Sequence, residues 1–351
     1  MITLYTTIAA ILLFALLIFI HELGHFAAAK ACGIRVIEFS LGMGPAIFKK
    51  QKGETTYSIR CLPIGGFCKM DGEDEESDDP KAFYKQKWWK RIIVLAAGGI
   101  MNLLAGLIVW TVIISMSPMI DVPKVDALIP GGAAETAGIL PGDVIYKIDN
   151  TRINMQNDVH YSMYRKEGNP VNITVVREGE KKTFLLTPQY NKGEQRYMIG
   201  YMGSAVENNF LLTIQHGYYE TVFFSKTILN TLGDLLIGKI GMSNLSGPIG
   251  IISEVGGAVN KAAQEDPSQA AEGRANIVLL FLLITINLGL FNLLPFPALD
   301  GGRMVFVIVE AIRKKALPPE REGLVHLIGF GLLMMLMIFA TSQDIWRLFN
   351  R

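Results

Sequence analysis

Four long apolar segments dominate this sequence of 351 residues and limit the folds open to it. Each has the length of about 20 residues that an α-helix needs to cross the hydrocarbon core of a bilayer. Half of the residues are hydrophobic and only 19% are charged, as in a membrane protein that also has soluble parts. We therefore predict a polytopic α-helical membrane protein with four transmembrane helices, over Ile2–Ile20, Ile92–Ile120, Ala275–Leu299 and Leu324–Thr341.

The positions of Lys and Arg predict how these helices are oriented. Residues 30–91 contain twelve of them, and the connection that follows Leu299 contains five more. Because basic loops stay on the cytoplasmic side, both stretches should face the cytoplasm. The N-terminus, residues 121–274 and the C-terminus should then lie outside. Residues 207–240 are fairly apolar but include charged side chains, so we predict helices at the outer membrane surface there.

The cysteines indicate the redox compartment of the protein, and the net charge indicates which partners to expect. All three cysteines (Cys32, Cys61 and Cys68) lie in the first predicted cytoplasmic loop. An odd, clustered set indicates free thiols in a reducing compartment, which agrees with the orientation predicted from the basic residues. The net charge of +1 gives no indication of nucleic-acid binding, so we expect no nucleic-acid partner.

The segment His21-Glu22-Leu23-Gly24-His25 follows the first apolar run. Two histidines four residues apart share one face of a helix, and the adjacent glutamate completes the pattern of two zinc ligands and a general base. A chance match and a signal peptide are the alternatives. The preceding apolar run offers no polar face, and the first positive residue is Lys30, so neither fits well. Ionisable groups at membrane depth favour a functional site.

A catalytic zinc site needs a third protein ligand. The third apolar segment ends at Asn292–Gly302, where Pro295 and Pro297 must end or loosen the helix. Irregular backbone at membrane depth is tolerated where it lines a cavity or is buried in protein. The predicted orientation places Asp300 at the level of the two histidines. By itself this aspartate would mark a turn leaving the membrane, but the matched depth favours a metal ligand.

These motifs resemble the site-2 protease family of intramembrane zinc metalloproteases, and most closely its bacterial branch that cleaves anti-sigma factors. The resemblance extends over nearly the whole chain and includes Gly65–Met70, Ala96–Asn102, a PDZ-like segment and Asn244–Ile251. The family usually has valine where Cys68 stands and proline where Gly99 stands. Many relatives contain two PDZ domains, and this chain has room for one.

The resemblance implies a Zn²⁺ cofactor with three ligands, His21, His25 and Asp300. It implies that Glu22 takes a proton from the attacking water. It also implies that Asn292, with Pro295 near it, contacts the substrate backbone beside the metal. The alternative role for an asparagine side chain within a span is a hydrogen bond to a neighbouring helix. This alternative applies equally to Asn287 and Asn102.

The first predicted cytoplasmic loop should form a small β-structure. Strand-like segments separated by turn signals cover Ile34–Phe39, Ala46–Lys50, Glu54–Cys61 and Gly66–Met70. An exposed edge could bind an unwound substrate by strand addition, with Gly66, Phe67 and Met70 as contacts. The alternative is a sheet that only covers the membrane surface. The acidic run Asp71–Asp79 is expected to be a mobile, solvated loop.

Residues 121–205 form a predicted extracytoplasmic domain. The segment Ala137–Ile145 resembles the PDZ signature, and Asp158–Arg165 would be the helix beside the peptide groove. The predicted carboxylate-binding loop contains Ile199, Gly200 and Tyr201. Such a domain could bind a C-terminus left by an earlier cut. It could also act as a filter against large outer domains, which we favour because its ends join two spans.

The sequence therefore predicts four regions: a first membrane half (1–120), a PDZ domain (121–205), membrane-surface amphipathic helices (206–274) and a second membrane half (275–351). The leading hypothesis is a zinc-dependent intramembrane endopeptidase of the bacterial plasma membrane, with its active site toward the cytoplasmic side. Its partners would be the lipid bilayer and single-span proteins already trimmed by an upstream site-1-type protease, such as anti-sigma factors or remnant signal peptides. A non-catalytic PDZ-bearing scaffold is the alternative. A metal transporter fits less well, since its spans should contain several ionisable residues.

Overall fold

The computed structural model describes residues 4–73, 75–241, 246–315 and 319–349. Its α-helices are α1 (Leu4–Cys32), α2 (Trp88–Ser115), α3 (Ala133–Thr136), α4 (Gln156–Lys166), α5 (Phe210–Leu236), α6 (Pro248–Ala262), α7 (Pro267–Leu293), α8 (Asp300–Arg313) and α9 (Pro319–Phe349). Its strands are β1 (Val36–Lys52), β2 (Thr55–Met70), β3 (Met119–Leu128), β4 (Val144–Ile148), β5 (Thr151–Arg152), β6 (Val171–Arg177), β7 (Glu180–Leu186), β8 (Gln189–Asn191), β9 (Arg196–Met198) and β10 (Tyr201–Glu207). The chain divides into two compact units, one of Met1–Gly106 with Phe224–Arg351 and one of Leu107–Phe223.

Among the described residues, four helices are long and apolar enough to cross a membrane, which confirms the predicted number. They are Ile8–Cys32, Trp88–Ser115, Pro267–Leu293 and Glu322–Arg347. Their limits differ from the hydropathy limits because a helix ends where its backbone is broken. The third helix ends at Leu293, since Leu294 precedes a proline and has an extended backbone (φ −69°, ψ 145°).

The first helix continues through the histidine motif to Cys32, so the motif lies on a helix, as predicted. One connection differs from the prediction: the stretch after Leu299, predicted as a short connection, contains the helix α8. Residues 206–274 contain the helices α5 and α6. The first two residues of the predicted motif Asn244–Ile251 lie outside the described residues.

Glycines allow close contact among α1, α2 and α7. A Cβ atom added at Gly24 would lie 2.4 Å from the carbonyl oxygen of Ala97. Gly99 and Gly289 face each other in the same way, since a Cβ on either would lie 2.7 Å from the other's carbonyl oxygen. Small residues let the backbones of membrane helices approach closely. The histidine motif of α1 therefore packs directly against the glycine-rich segment of α2.

The β1–β2 sheet has the four strand segments that the sequence predicts. Phe39 pairs with Cys68 on one side and with Tyr57 on the other, while Tyr57 also pairs with Lys50. The order across the sheet is therefore 66–70, 36–41, 56–59 and 46–52. The bend within β1 lies at Gly42 and Gly44, whose positive φ values of 87° and 83° favour glycine. The segment Gly66–Met70 is an edge of this sheet.

Glu75, Glu76 and Asp78 of the acidic run are exposed, as expected of a solvated loop, and the mobility of the run stays a prediction. Arg35 forms ion pairs with Asp79 at 2.8 Å and with Asp71 at 3.7 Å. Glu73 pairs with Arg303 of α8. Asp74 lies outside the described residues. Basic side chains on other elements therefore bind both ends of the run, which charge composition alone does not reveal.

The unit Leu107–Phe223 contains a sheet with the order β10-β3-β4-β6-β7, and β5 pairs with β4. Its core includes Val125, Ile139, Ile145, Ile173 and Val175. The helix α4 includes the whole of the predicted groove helix, Asp158–Arg165. The loop before β10 contains Gly200, which has a φ of +82°. The assignment of this unit as a PDZ domain stays a prediction.

The predicted PDZ signature has a structural explanation within this unit. Asp143 is 1% exposed and accepts hydrogen bonds from the Leu140 amide at 2.9 Å and from the Arg177 guanidinium at 2.7 and 2.8 Å. Burial alone would raise the pKa of Asp143, but Arg177 and the Leu140 amide hold this pKa below its usual value. The aspartate therefore fixes the turn that leads into β4.

Candidate metal centre

His21 and His25 lie one helical turn apart on α1, and both are buried (7% and 6% exposed). Their Nε2 atoms are 3.1 Å apart, and their rings are inclined at 83°. The i, i+4 spacing explains why the side chains meet on one face. Two ring nitrogens directed at one point form the first two corners of a candidate metal site.

Asp300 supplies the third corner from the other end of the chain. Its Oδ2 atom lies 3.1 Å from Nε2 of His21 and 3.3 Å from Nε2 of His25. The residue begins α8 directly after the proline-containing loop. The prediction that Asp300 lies beside both histidines is thus met by the geometry, although the role of each residue as a ligand remains a proposal.

The loop before Asp300 is fixed by His326, a histidine of α9. The Ala298 amide donates a hydrogen bond to Nδ1 of His326, at 2.9 Å. Ala298 itself has a φ of +76°, a conformation that non-glycine residues rarely adopt. The hydrogen bond from α9 helps to stabilise this backbone two residues before Asp300. No sequence signal links His326 to that loop.

The three side chains fit a zinc ion. Zinc bonds of about 2.0–2.2 Å in a tetrahedral site place ligand atoms about 3.3 Å apart. The separations of 3.1, 3.1 and 3.3 Å among the three facing atoms match this spacing. Nδ1 of His25 donates to the Val94 carbonyl at 2.8 Å, which leaves Nε2 of that neutral ring free to bind a metal.

Glu22 lies beside the triangle and is positioned by the β1–β2 sheet. The backbone amide of Cys68 donates a hydrogen bond to its carboxylate. A Cβ atom at Gly66 would lie 3.4 Å from Cγ of Glu22, so the edge segment runs directly past this side chain. A cavity of about 440 Å³ includes Glu22 and the three corner residues, together with Phe67, Cys68, Lys69, Met70, Glu73, Leu95, Ala298, Leu299 and Arg303.

The other predicted contact residues differ in their surroundings. Asn292 lies with Nδ2 3.4 Å from Nε2 of His21, within reach of the metal position. Phe67 lines the cavity and lies 4.9 Å from the Arg60 guanidinium. Met70 also lines the cavity, but it is 3% exposed and belongs to a hydrophobic core. Pro295 is exposed. The predicted loop of Ile199, Gly200 and Tyr201 belongs to the other unit.

Gly98 is a site residue that the sequence analysis does not single out. A Cβ atom at this position would lie 2.4 Å from Nε2 of His25 and 2.6 Å from Cε1 of His21. Only a hydrogen at this point of α2 leaves space for both imidazoles. The signal was present in the segment Ala96–Asn102, but the sequence gives no indication of which glycine faces the histidines.

We expect the substitution Gly98→Ala to weaken zinc binding by about 10- to 100-fold, because the added methyl group would overlap ring atoms of His21 and His25. The measurement is zinc affinity of the purified protein by competition with a chromogenic chelator. Gly331→Ala is the matched control, since a Cβ atom there would meet nothing within 4 Å. Wild-type zinc affinity in Gly98→Ala would contradict the assigned geometry.

Comparisons with known proteins agree with this geometry. The model of peptidase family M50 matches residues 9–336. A Clostridium acetobutylicum protein with a zinc metalloprotease name is 36% identical over 342 residues, which is 97% of each chain. The zinc metalloprotease RasP of Geobacillus kaustophilus is 30% identical and aligns over 99% of each chain. The regulator of sigma-W protease RasP of Bacillus subtilis is 30% identical over 98% of this chain and 99% of its own.

The four apolar helices and the His-His-Asp cluster define a membrane-embedded metalloenzyme. The chain belongs to peptidase family M50, the site-2 protease family. It is a zinc metalloprotease.

Proposed function

We propose that this protein is an endopeptidase that cuts single-span membrane proteins within their transmembrane segment. The observation that supports this most is the cluster of His21, His25 and Asp300 with Glu22 in one cavity. The histidines and Glu22 lie on a helix long and apolar enough to span a bilayer, and Asp300 begins α8. We assign the first three residues as zinc ligands and Glu22 as the general base.

The chemistry follows from these assignments. A bound zinc ion supplies a Lewis acid that polarises the scissile carbonyl and increases the acidity of water. Glu22 takes the proton of the attacking water and then delivers it to the leaving amine. The Cys68 amide holds the Glu22 carboxylate in place for both transfers. Asn292 donates a side-chain N–H to a substrate backbone carbonyl, which an unwound helix exposes.

A transmembrane helix hides its peptide bonds, so the substrate must be held extended. We assign this task to the edge segment Gly66–Met70, which pairs with β1 along one side. A substrate strand on the other side would gain main-chain hydrogen bonds. The same segment positions Glu22, so strand addition would bring a peptide bond next to the general base. Gly66 and Phe67 are the proposed contacts, and Met70 supports them from the core.

The proposal also includes the orientation of the protein in the membrane and the class of its substrates. The twelve Lys and Arg residues between 30 and 91 favour a cytoplasmic position for the β1–β2 sheet and the catalytic cavity. The termini and the unit 121–205 would lie outside the plasma membrane of a bacterium. One relative is named as a regulator of sigma-W protease. On that basis we propose anti-sigma factors, with remnant signal peptides, as the substrate class after trimming by an upstream protease.

The function is tested with purified protein and two reporters, a single-span protein trimmed outside and its full-length form. Cleavage of the trimmed reporter within its transmembrane segment should be lost on zinc chelation and restored by added zinc. Mass spectrometry of the products locates the cut. If the zinc-loaded protein cuts only outside the transmembrane segment, intramembrane cleavage is wrong.

Deletion of residues 122–205 tests the proposed PDZ domain as a filter. Asp121 pairs with Ala205 and Ile120 with Val206. The chain segments on the two sides of the deletion therefore lie next to each other, and a two-residue turn can join them. We expect the deletion variant to cleave the full-length reporter, which the intact protein rejects. Continued rejection would contradict the filter. Loss of cleavage of the trimmed reporter would instead favour binding of its new C-terminus at Ile199, Gly200 and Tyr201.

A further inference from the structure

We propose that Asn102 positions His21 for zinc by accepting a hydrogen bond from the Nδ1–H group of that ring. This inference rests on the proposed role of His21 as a ligand. A hydrogen bond between helices is one alternative for Asn102 from the sequence, and the structure places its side chain against His21. Nδ2 of Asn102 lies 3.5 Å from Nδ1 of His21.

The hydrogen-bonding state of the Asn102 amide supports the proposal. Asn102 is 0% exposed, and its Oδ1 atom has no hydrogen-bond partner. A buried oxygen without a donor costs about 1–3 kcal/mol. The oxygen and nitrogen of an amide have nearly the same shape, and a rotation of 180° exchanges them. After that rotation the oxygen faces Nδ1 of His21 and accepts a hydrogen bond from the Nδ1–H group.

The tautomer of His21 decides between the two amide orientations. A histidine that binds zinc through Nε2 must carry its proton on Nδ1. Nε2 of His21 is the atom that faces Asp300 and His25, at 3.1 Å from each. Nδ1–H then needs an acceptor, and the turned Asn102 amide supplies one. The opposite orientation directs an N–H group at Nδ1 and favours the tautomer that cannot bind metal through Nε2.

The second histidine shows the same arrangement. Nδ1 of His25 donates to the Val94 carbonyl at 2.8 Å. Val94 and Asn102 both belong to α2, so one helix provides the outer partner of each imidazole. For His25 the partner is a main-chain atom and needs no particular side chain. For His21 the partner must be a side chain, which gives residue 102 a specific chemical requirement.

Packing against α7 holds Asn102 in this position. The Oγ1 atom of Thr285 donates to the Asn102 carbonyl at 3.3 Å. A Cβ atom at Gly289 would lie 3.2 Å from the Asn102 Cβ, so the two helices leave little room for the side chain to move. A side chain fixed by its neighbours keeps a ligand in one orientation. Loss of such an outer partner typically weakens metal binding about 10- to 100-fold.

The test measures the zinc affinity of the purified full-length protein by chelator competition. Asn102→Leu has the same size without an acceptor, and we expect it to bind zinc about 10- to 100-fold more weakly. Asn102→Asp keeps an acceptor and should bind zinc at least as tightly as the wild type. Asn287→Leu, the same change on α7, should leave zinc affinity unchanged. If Asn102 only packed between the helices, Asn102→Asp would not restore the zinc affinity that Asn102→Leu loses.

Two outcomes overturn the proposal: wild-type zinc affinity in Asn102→Leu, or affinity in Asn102→Asp as weak as in Asn102→Leu. If Asn102→Leu does not fold, as judged by its melting temperature, Asn102→Ala removes the same acceptor without added bulk. His21→Ala separates this inference from the ligand assignment. Retention of tight zinc binding in His21→Ala would show that the ligand set is wrong, whatever the Asn102 variants do.

Discussion

Glu22→Gln is expected to abolish cleavage of the trimmed reporter while zinc stays bound. Glutamine has the size of glutamate and can still accept the Cys68 amide hydrogen bond, but it cannot take a proton from water. Removal of a general base typically lowers kcat about 100- to 10,000-fold. The measurement combines the cleavage rate with the zinc content of the same purified sample.

Glu73→Gln is the matched control for that variant. Glu73 lines the same cavity but pairs with Arg303, so its charge has another partner. We expect this control to retain zinc and to change cleavage less than about 10-fold, because a partly exposed ion pair contributes about 0–1 kcal/mol. Equal loss in both variants would show that the charge of the cavity matters and would contradict a specific role for Glu22.

Asp300→Ala is expected to lose both zinc and cleavage. The substitution removes one corner of a triangle with sides of 3.1, 3.1 and 3.3 Å and leaves only the two histidines. A catalytic zinc site normally has three protein ligands, so we expect zinc affinity to fall by at least about 100-fold. Zinc content after dialysis and cleavage of the trimmed reporter are the two measurements.

Asp266→Ala controls for the loss of an aspartate at a helix N-terminus. Asp266 caps α7 by accepting from the Ser268 amide at 2.9 Å and lies outside the metal cavity. Its removal should cost about 1 kcal/mol of stability without any loss of zinc. Full zinc content in Asp300→Ala would remove this residue from the ligand set and leave the third ligand to be found elsewhere.

Features that depend only on residues close together in the sequence can be predicted from it. The four apolar helices follow from the length of each hydrophobic run, and the meeting of His21 with His25 follows from helical spacing. The end of the third helix follows from Pro295, because a proline disfavours helical backbone at the residue before it. The strand segments of the β1–β2 sheet were also visible, since turn residues separate them.

Features that depend on contacts between distant residues were missed or wrong. Charge composition does not reveal that Arg35 and Arg303 bind the two ends of the acidic run. The helix α8 was predicted as a connection, since its glycines and basic residues resemble a loop. Gly98 and Asn102 are visible only as parts of a motif, and no sequence signal predicts the contact of His326 with the Ala298 amide.

Residue chemistry and local spacing are sufficient to identify the residues that can bind a metal and the segments that can span a membrane, so the amino-acid sequence reveals both. The order of the spans also predicts that Asp300 lies at the level of the two histidines. Which α2 residues face the histidines becomes visible only in three dimensions. That choice depends on how α1, α2 and α7 rotate and approach one another, and close contacts at Gly24, Gly99 and Gly289 set it.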